Sequence, residues 1–267
     1  MRLLFVGVGN MGGAVLEGIV SAQFSDLRDI KVLNATEASS RKTAERFGVG
    51  VAESLEAGLE WANCVILAIK PQVYRHVLPE LKSICNNAKG RKIFISVMAG
   101  VTLSTLQSDL GEQHRYIRTM PNLPMTVGFG TTSVANNHLQ SEEMALIKKL
   151  FEPVSRVVFL PESLINAATA VAGSGPAWVF EMAEGWIRAG VHEGLPRNIA
   201  QELVYSTLLG SAHLLQKSGS SPSDLTAQVC SPGGTTIHGV QALEENGFKA
   251  SIAKAVFAAH QRAKDLG

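Results

Sequence analysis

The chain has 267 residues, a formal net charge of +1, 46% hydrophobic residues and 18% charged residues. That is enough apolar material for a large core, which excludes a disordered chain. The charge is too balanced for a nucleic-acid surface, which would be basic. Three widely spaced cysteines, Cys64, Cys85 and Cys230, form no C-x-x-C. They indicate neither a disulfide framework nor a metal site, and they suit a reducing cytoplasm.

The apolar run from Met1 to Val6 breaks at Gly7, too early for a signal peptide. No apolar stretch reaches the roughly 18 residues of a membrane span, so a soluble, cytoplasmic protein is expected. Leu3–Val6 reads as a buried strand. In Gly7-Val8-Gly9-Asn10-Met11-Gly12 the glycines follow the G-x-G-x-x-G spacing, and a helix continues from Gly13-Ala14. Gly7 allows a tight turn, Gly9 lets the backbone approach a pyrophosphate, and Gly12 lets the helix pack close to the strand. The helix N-terminus offers free N–H groups to phosphates. Gly7, Gly9, Asn10, Met11 and Gly12 are therefore candidate dinucleotide ligands.

Ile30–Leu33 reads as a second strand. At its end, NAD enzymes carry an acid on the ribose 2′-hydroxyl; this chain has Asn34-Ala35-Thr36. Asn34 and Thr36 can donate to a 2′-phosphate and Arg41 follows within reach, which favours NADPH over NADH. Glu37 argues the other way, because a longer strand would bring it to the ribose. Ser39-Ser40 also reads as an N-cap for a helix over 41–47.

A short strand is expected over 48–51. The run Cys64-Val65-Ile66-Leu67-Ala68-Ile69 reads as a strand buried on both faces, and Lys70-Pro71 ends it. Ligands of open α/β sheets sit at strand carboxyl ends, so Ala68, Lys70 and Pro71 should border the cofactor. Lys70 also reads as an ordinary solvated lysine. A helix over 74–84 and a strand over 92–97 follow, with Met98 and Ala99 again at a carboxyl end. Tyr116–Thr119 leads into the rigid loop Met120-Pro121-Asn122-Leu123-Pro124. A strand over 128–134, a helix over 141–150 and an edge strand over 157–159 complete a doubly wound sheet.

After Pro161 the pattern becomes helical, over 163–172, 176–189, 197–216, 222–228, 236–245 and 249–266. The expected domains are therefore 1–161, dinucleotide-binding, and 162–267, helical. The 167–172 and 178–187 stretches are apolar on most faces and must be buried, by a partner subunit or within a compact bundle. Two glycine-rich segments stand out: Gly173-Ser174-Gly175-Pro176-Ala177 and Ser231-Pro232-Gly233-Gly234-Thr235-Thr236. The second opens a helix and suits a small carboxylate, or serves as a cap with a glycine entry. Many two-domain hydroxyacid dehydrogenases carry a lysine on the helix that begins here with Trp178-Val179-Phe180; this helix has none. An imine, readily protonated from water, fits that lack.

These motifs, in order and spacing, resemble the pyrroline-5-carboxylate reductase family over the whole chain. The resemblance implies an α/β fold, with an N-terminal Rossmann-type doubly wound sheet followed by an all-helical C-terminal dimerisation domain. It implies that NAD(P)H reduces 1-pyrroline-5-carboxylate to L-proline, the last step of proline biosynthesis. It also implies an interlocked homodimer, often assembled into a decamer. Carried over by residue, Gly7 to Gly12 hold the pyrophosphate, and Asn34 and its neighbours meet the adenosine ribose or 2′-phosphate. Ala68, Lys70, Pro71, Met98 and Ala99 line the nicotinamide side. Ser231, Gly233, Gly234, Thr235 and Thr236 grip the substrate carboxylate, Thr236 reaches the ring nitrogen as the candidate catalytic residue, and Gly175 helps shape the pocket wall. The chain departs from the family at Asn63, where aspartate is common, and near Ser54 and Leu55, where an asparagine is often found.

Overall fold

The protein was analysed as a computed structural model, which describes residues 1–23, 26–88, 90–135 and 139–266. The first part alternates strand and helix: Leu3–Val6 (β1), Asn10–Ser21 (α1), Ile30–Leu33 (β2), Glu37–Phe47 (α2), Gly50–Val51 (β3), Leu55–Trp61 (α3), Cys64–Leu67 (β4), Pro71–Asn87 (α4), Ile93–Ser96 (β5), Leu103–Leu110 (α5), Arg115–Met120 (β6), Gly130–Ala135 (β7), Ser141–Phe151 (α6) and Ser155–Leu160 (β8). Helices follow: Ile165–Ala168 (α7), Gly175–His192 (α8), Arg197–Ser218 (α9), Pro222–Val229 (α10), Thr235–Glu245 (α11) and Phe248–Leu266 (α12).

The strands form one sheet in the order β3-β2-β1-β4-β5-β6-β7-β8. Chain order reverses between β1 and β4, where such sheets bind ligands. Alternate side chains of β1 enter opposite layers. Leu3 and Phe5 pack with Val15 and Ile19 of α1 and Phe151 of α6. Leu4 and Val6 pack with Leu59 of α3, Leu81 of α4 and Leu106 of α5. Burial on both faces explains why the strand reads as an unbroken apolar run. Each such side chain contributes about 1.5–3 kcal/mol.

Three features differ from the sequence pattern. Helices α3 and α5 are too short for a clear period, with 7 and 8 residues; their signal is the N-cap, Ser54 accepting from Ala57 N–H and Thr102 from Thr105 N–H. Strand β7 runs antiparallel to β6, with Thr119 opposite Val134 and Met120 opposite Ser133. The Pro121–Gly128 connection, built around a 3-10 turn at Leu123–Val127, is too short for a parallel crossover. Helix α2 begins at Glu37, not Arg41. Thr36 is its N-cap and Ser39 completes the capping box, so the Ser39-Ser40 cap is corrected to Thr36.

By packing, the chain divides into one unit of Met1–Ser174 with Ala259–Gly267 and another of Gly175–Ala258. Residues beyond Pro161 join the first unit through named contacts. Glu162 Oε1 accepts from Arg118 Nη1 at 3.0 Å and from Leu103 N–H at 2.8 Å, and Ile165 and Ala170 are buried. In the second unit, α8 and α9 pack around Ala183, Ile187, Ala200 and Val204. Among the described residues no helix is long and apolar enough to cross a membrane.

One pair ties the far end of the sheet to its helix layer. Arg115 of β6 donates to both carboxylate oxygens of Glu143, at 2.6 Å each, and Glu143, three residues into the capping box of α6, also accepts from the N–H of its N-cap Gln140. The Arg115 hydrogen bonds hold the Glu143 carboxyl below its ordinary value of 4.5. A carboxyl whose folded-state pKa is depressed stabilises fully above its unfolded value and loses that stabilisation as pH falls through the folded value. Glu143→Gln should therefore cost about 2 kcal/mol at neutral pH. The deficit relative to the unaltered protein should shrink below about pH 4.5, as read by urea unfolding across pH.

Candidate active site

The glycine turn sits where β1, β4 and α1 meet. Gly7 has φ +84, and a Cβ there would come within 2.4 Å of Ile69 Cγ2. A Cβ on Gly12 would come within 2.6 Å of Gly7 O and 2.9 Å of Ala68 Cβ. Above Gly9, in contrast, a Cβ meets nothing within 4 Å. Helix α1 has no capping side chain and no acid in its first turn. Asn10 and Met11 thus begin a helix whose N–H groups lack a side-chain acceptor, beneath a patch of bare backbone. That cradle fits a dinucleotide pyrophosphate.

Asn34 holds the next loop in place. Its Oδ1 accepts from Val8 N–H at 2.6 Å, and its Nδ2 donates to Ser39 O and Thr43 Oγ1. The whole amide is thereby engaged within the protein. Thr36 uses its hydroxyl as the α2 cap. Arg41 pairs with Glu37 one turn earlier on the solvent side. Glu37 itself lies in the first turn of α2, where the helix dipole favours an acid, and not at the end of β2.

The basic groups facing the glycine turn are two others. A cleft of about 390 Å³ is lined by Gly9, Asn10, Gly13, Lys42, Arg46 and Leu123, among others. Arg46 also lies 3.5 Å from Glu17 on the surface, a pair of little energetic weight. Sequence reasoning missed Lys42 and Arg46. Their i, i+4 spacing was the available signal, but it selects a face only once α2 is known to start at Glu37.

At the carboxyl end of β4, Ala68 N–H donates to Val6 O and the residue packs against the glycine turn. Lys70 is exposed at the N-cap of α4, with Pro71 as the first helical residue. The side chain of Met98 is buried, its N–H bonded to Ser96 Oγ. Met98 therefore contributes to this edge chiefly through its backbone, and Ala99 follows half-buried beside it. These residues and the glycine turn share one sheet edge.

The second unit holds the other group. Gly234 N–H donates to Ser231 O, closing a turn in which Gly233 has φ +68. Gly234 is the N-cap of α11, without a capping side chain. Among the described residues the hydroxyls of Ser231, Thr235 and Thr236 have no hydrogen-bond partner. Thr236, in the first turn of α11, is half-buried. Absence of a side-chain cap separates an anion site from an ordinary cap: the first N–H groups and three hydroxyls remain available to a carboxylate. Gly175 begins α8, with open space where a Cβ would stand.

Comparison with known proteins shows the family. Residues 162–266 match the family model for pyrroline-5-carboxylate reductase dimerisation, and 2–100 match that for NADP oxidoreductase, coenzyme F420-dependent. The chain is 38% identical over 268 residues to a pyrroline-5-carboxylate reductase of Synechocystis, covering all of this chain and 98% of the relative. It is similar to the solved structure of a pyrroline-5-carboxylate reductase from Coxiella burnetii, with TM-score 0.90, 31% identity and coverage of 100% and 98%. It is also similar to a pyrroline carboxylate reductase of Plasmodium falciparum solved with NADP bound, with TM-score 0.88, 29% identity and the same coverages.

If Lys42 and Arg46 serve the phosphates, replacing both with alanine should raise the dissociation constant for NADPH about tenfold at low salt. The difference should narrow as salt is added. Fluorescence titration of the nucleotide reads both quantities, and an unchanged constant would remove these side chains from the site.

Proposed function

The chain belongs to the pyrroline-5-carboxylate reductase family, and from that premise we propose how its own residues carry out NAD(P)H-dependent reduction of 1-pyrroline-5-carboxylate to L-proline, the last step of proline biosynthesis. The observation that carries the reading is the presence of two uncapped helix N-termini, each entered through glycine, on α1 and α11. One suits a pyrophosphate and the other a carboxylate.

The backbone of Gly7, Gly9, Asn10, Met11 and Gly12 holds the cofactor's pyrophosphate. Asn34 serves it indirectly, by fixing the glycine turn to α2, and Thr36 does so as the cap of that helix. Lys42 and Arg46, with Arg41 nearby, favour the extra phosphate of NADPH; NADH is the alternative. Ala68, Lys70, Pro71, Met98 and Ala99 line the nicotinamide side. When bound, the reduced nicotinamide supplies the hydrogen and electron pair that saturate the substrate C=N bond, while the nitrogen takes its proton from water.

Ser231, Gly233, Gly234, Thr235 and Thr236 fix the substrate carboxylate, and Gly175 forms part of the pocket wall. The Thr236 hydroxyl hydrogen-bonds the ring nitrogen and orients the ring. Charge-assisted hydrogen bonds of this kind contribute about 1.5–3 kcal/mol each, enough to hold a small acid without an arginine. No strong acid is needed, because the imine is protonated before reduction.

In this reading residues 1–161 form the dinucleotide-binding domain and 162–267 the substrate-binding and dimerisation domain. Phe180, Tyr205 and Leu209 line an apolar groove of about 470 Å³ on α8 and α9. Such a surface is costly to leave in water, and a second copy of the chain is the occupant that the dimerisation match suggests. A homodimer, further assembled into a decamer, follows the family. A cytoplasmic location fits the three free thiols; burial pushes Cys64 up to about 12 and Cys85 up to about 11, keeping both protonated.

Loss of reduced-nicotinamide absorbance with 1-pyrroline-5-carboxylate tests the reaction, with NADPH and NADH in parallel. No oxidation of either would sink it. Thr236→Ala should lower kcat/KM at least about a hundredfold, roughly 2.7 kcal/mol and well beyond the roughly 1 kcal/mol of a lost helix cap; near-normal kinetics would withdraw its role. Light scattering should find the unaltered chain as a multiple of its own mass and Leu209→Glu as a monomer.

A further inference from the structure

The Met120-Pro121-Asn122 loop was prominent in the sequence, yet the reaction as described leaves it without a task. Asn122 is 7% exposed. Its Oδ1 accepts from Thr131 N–H of β7 at 2.8 Å, and its Nδ2 donates to Ala172 O at 3.0 Å. Ala172 lies in a π-helical turn, Thr169–Gly173, where Ser174 N–H reaches Thr169 O at 2.8 Å. Single π turns that interrupt helices are frequent at functional sites.

The sequence explains why Ala172 needs an outside donor. In a continuing α-helix its carbonyl would accept from the N–H of residue 176, and Pro176 has none. Ala172 is half-buried, and a carbonyl shielded from water without a partner costs up to about 1–3 kcal/mol. The Asn122 amide stands where that donor is missing. Met120 closes the same turn from the side, since a Cβ on Gly173 would lie 3.4 Å from Met120 Cε and from Thr169 Cγ2. Of the charged groups on the neighbouring elements, Arg118 and Glu162 are paired with each other at 3.0 Å, and Arg115 of β6 is paired with Glu143.

We propose that Asn122 is a positioning residue for the imine: it supplies Ala172 with the donor that Pro176 lacks, and so fixes the turn that Gly175 directly follows. The two motifs, Met120-Pro121-Asn122 and Gly173-Ser174-Gly175-Pro176-Ala177, then act as one device. Met120 sets the spacing, Asn122 sets the carbonyl, and Gly175 is delivered to the substrate wall. This rests on the reading of Gly175 as part of that wall. A wild-type protein that fails to reduce the imine overturns that reading, whereas the comparison below is made only between active proteins.

Asn122→Asp tests it. The variant keeps the acceptor for Thr131 N–H but puts an oxygen where the donor stood. At about pH 8 the KM for 1-pyrroline-5-carboxylate, relative to wild type at the same pH, should rise about tenfold. The NADPH dissociation constant, read by nucleotide fluorescence, should stay within about twofold of wild type. Burial raises the pKa of the introduced carboxyl; at about pH 5.5 it should take a proton, donate to Ala172 O, and bring the KM ratio back toward one. An unchanged KM, a ratio that ignores pH, or a parallel loss of NADPH affinity would overturn the proposal. Should this variant not fold, Asn122→Ala is compared with the same change combined with Pro176→Ala, which restores an N–H at 176. Recovery of kcat/KM supports the device, and equal values overturn it.

Discussion

Helix α1 lies closer to the sheet than side chains would allow, and the cofactor end of the molecule depends on that approach. Gly12 admits the Gly7 carbonyl and Ala68 at one end of the helix. At the other end, a Cβ on Gly18 would come within 2.6 Å of Val154 Cγ1. Six residues apart, the two glycines lie on different faces of the helix, and let it approach the β1–β4 edge with one and the turn before β8 with the other. Drawn in, it aims its uncapped N–H groups over the carboxyl ends of β1 and β4, where the reversal of strand order opens a crevice. The apolar layer beneath, Val15, Leu16 and Ile19, is fully buried. Core packing and anion binding therefore rest on the same helix placement.

The molecule pairs its buried Arg118 and half-buried Arg115 internally. Arg118 is committed to Glu162, and Arg115 to Glu143. In the proposed site, ligand anions fall instead to backbone N–H groups, to hydroxyls, and to surface cations on α2. This accords with a net charge of only +1: helix dipoles provide local positive potential without basic residues. It also separates two kinds of sensitivity. Phosphate contacts proposed for exposed Lys42 and Arg46 would be screened by salt, whereas backbone contacts proposed at α1 and α11 would be fixed by the fold.

The central architecture was legible because its causes are local. Leu3–Val6 and Cys64–Leu67 are buried on both faces, so they show as unbroken apolar runs. The glycine spacing is a direct imprint of the α1 approach. Less legible were features set by partners distant in sequence. Asn34 reads as a ligand to phosphate because its type allows it; only the fold reveals that Val8, Ser39 and Thr43 occupy its amide. Arg41 and Lys42 are neighbours of equal charge, and the start of α2 decides which one faces the cleft. The chain turns helical after Pro161, as the sequence indicates, yet Glu162, Ile165 and Ala170 stay with the sheet unit through contacts with β6 and α5 that no local pattern encodes. The antiparallel β7 was likewise hidden, because strand direction follows from connection length and not from the strand itself.

What remains is why so little acid–base machinery suffices. The α8 helix carries no lysine, and the hydroxyls of the Ser231–Thr236 segment are weak acids. An imine needs neither, since water protonates it and the cation formed is the better acceptor. The protein's contribution is then almost wholly orientation, and orientation can supply several kcal/mol of barrier lowering when the reacting atoms are held near contact distance. In the proposed site, binding energy drawn from the carboxylate, remote from the reacting bond, enforces it. A site that works this way depends little on side-chain acids and strongly on rigid backbone geometry. That is the physical reason for glycine entries, uncapped helix starts and a buried asparagine amide at points where side-chain chemistry would otherwise be expected.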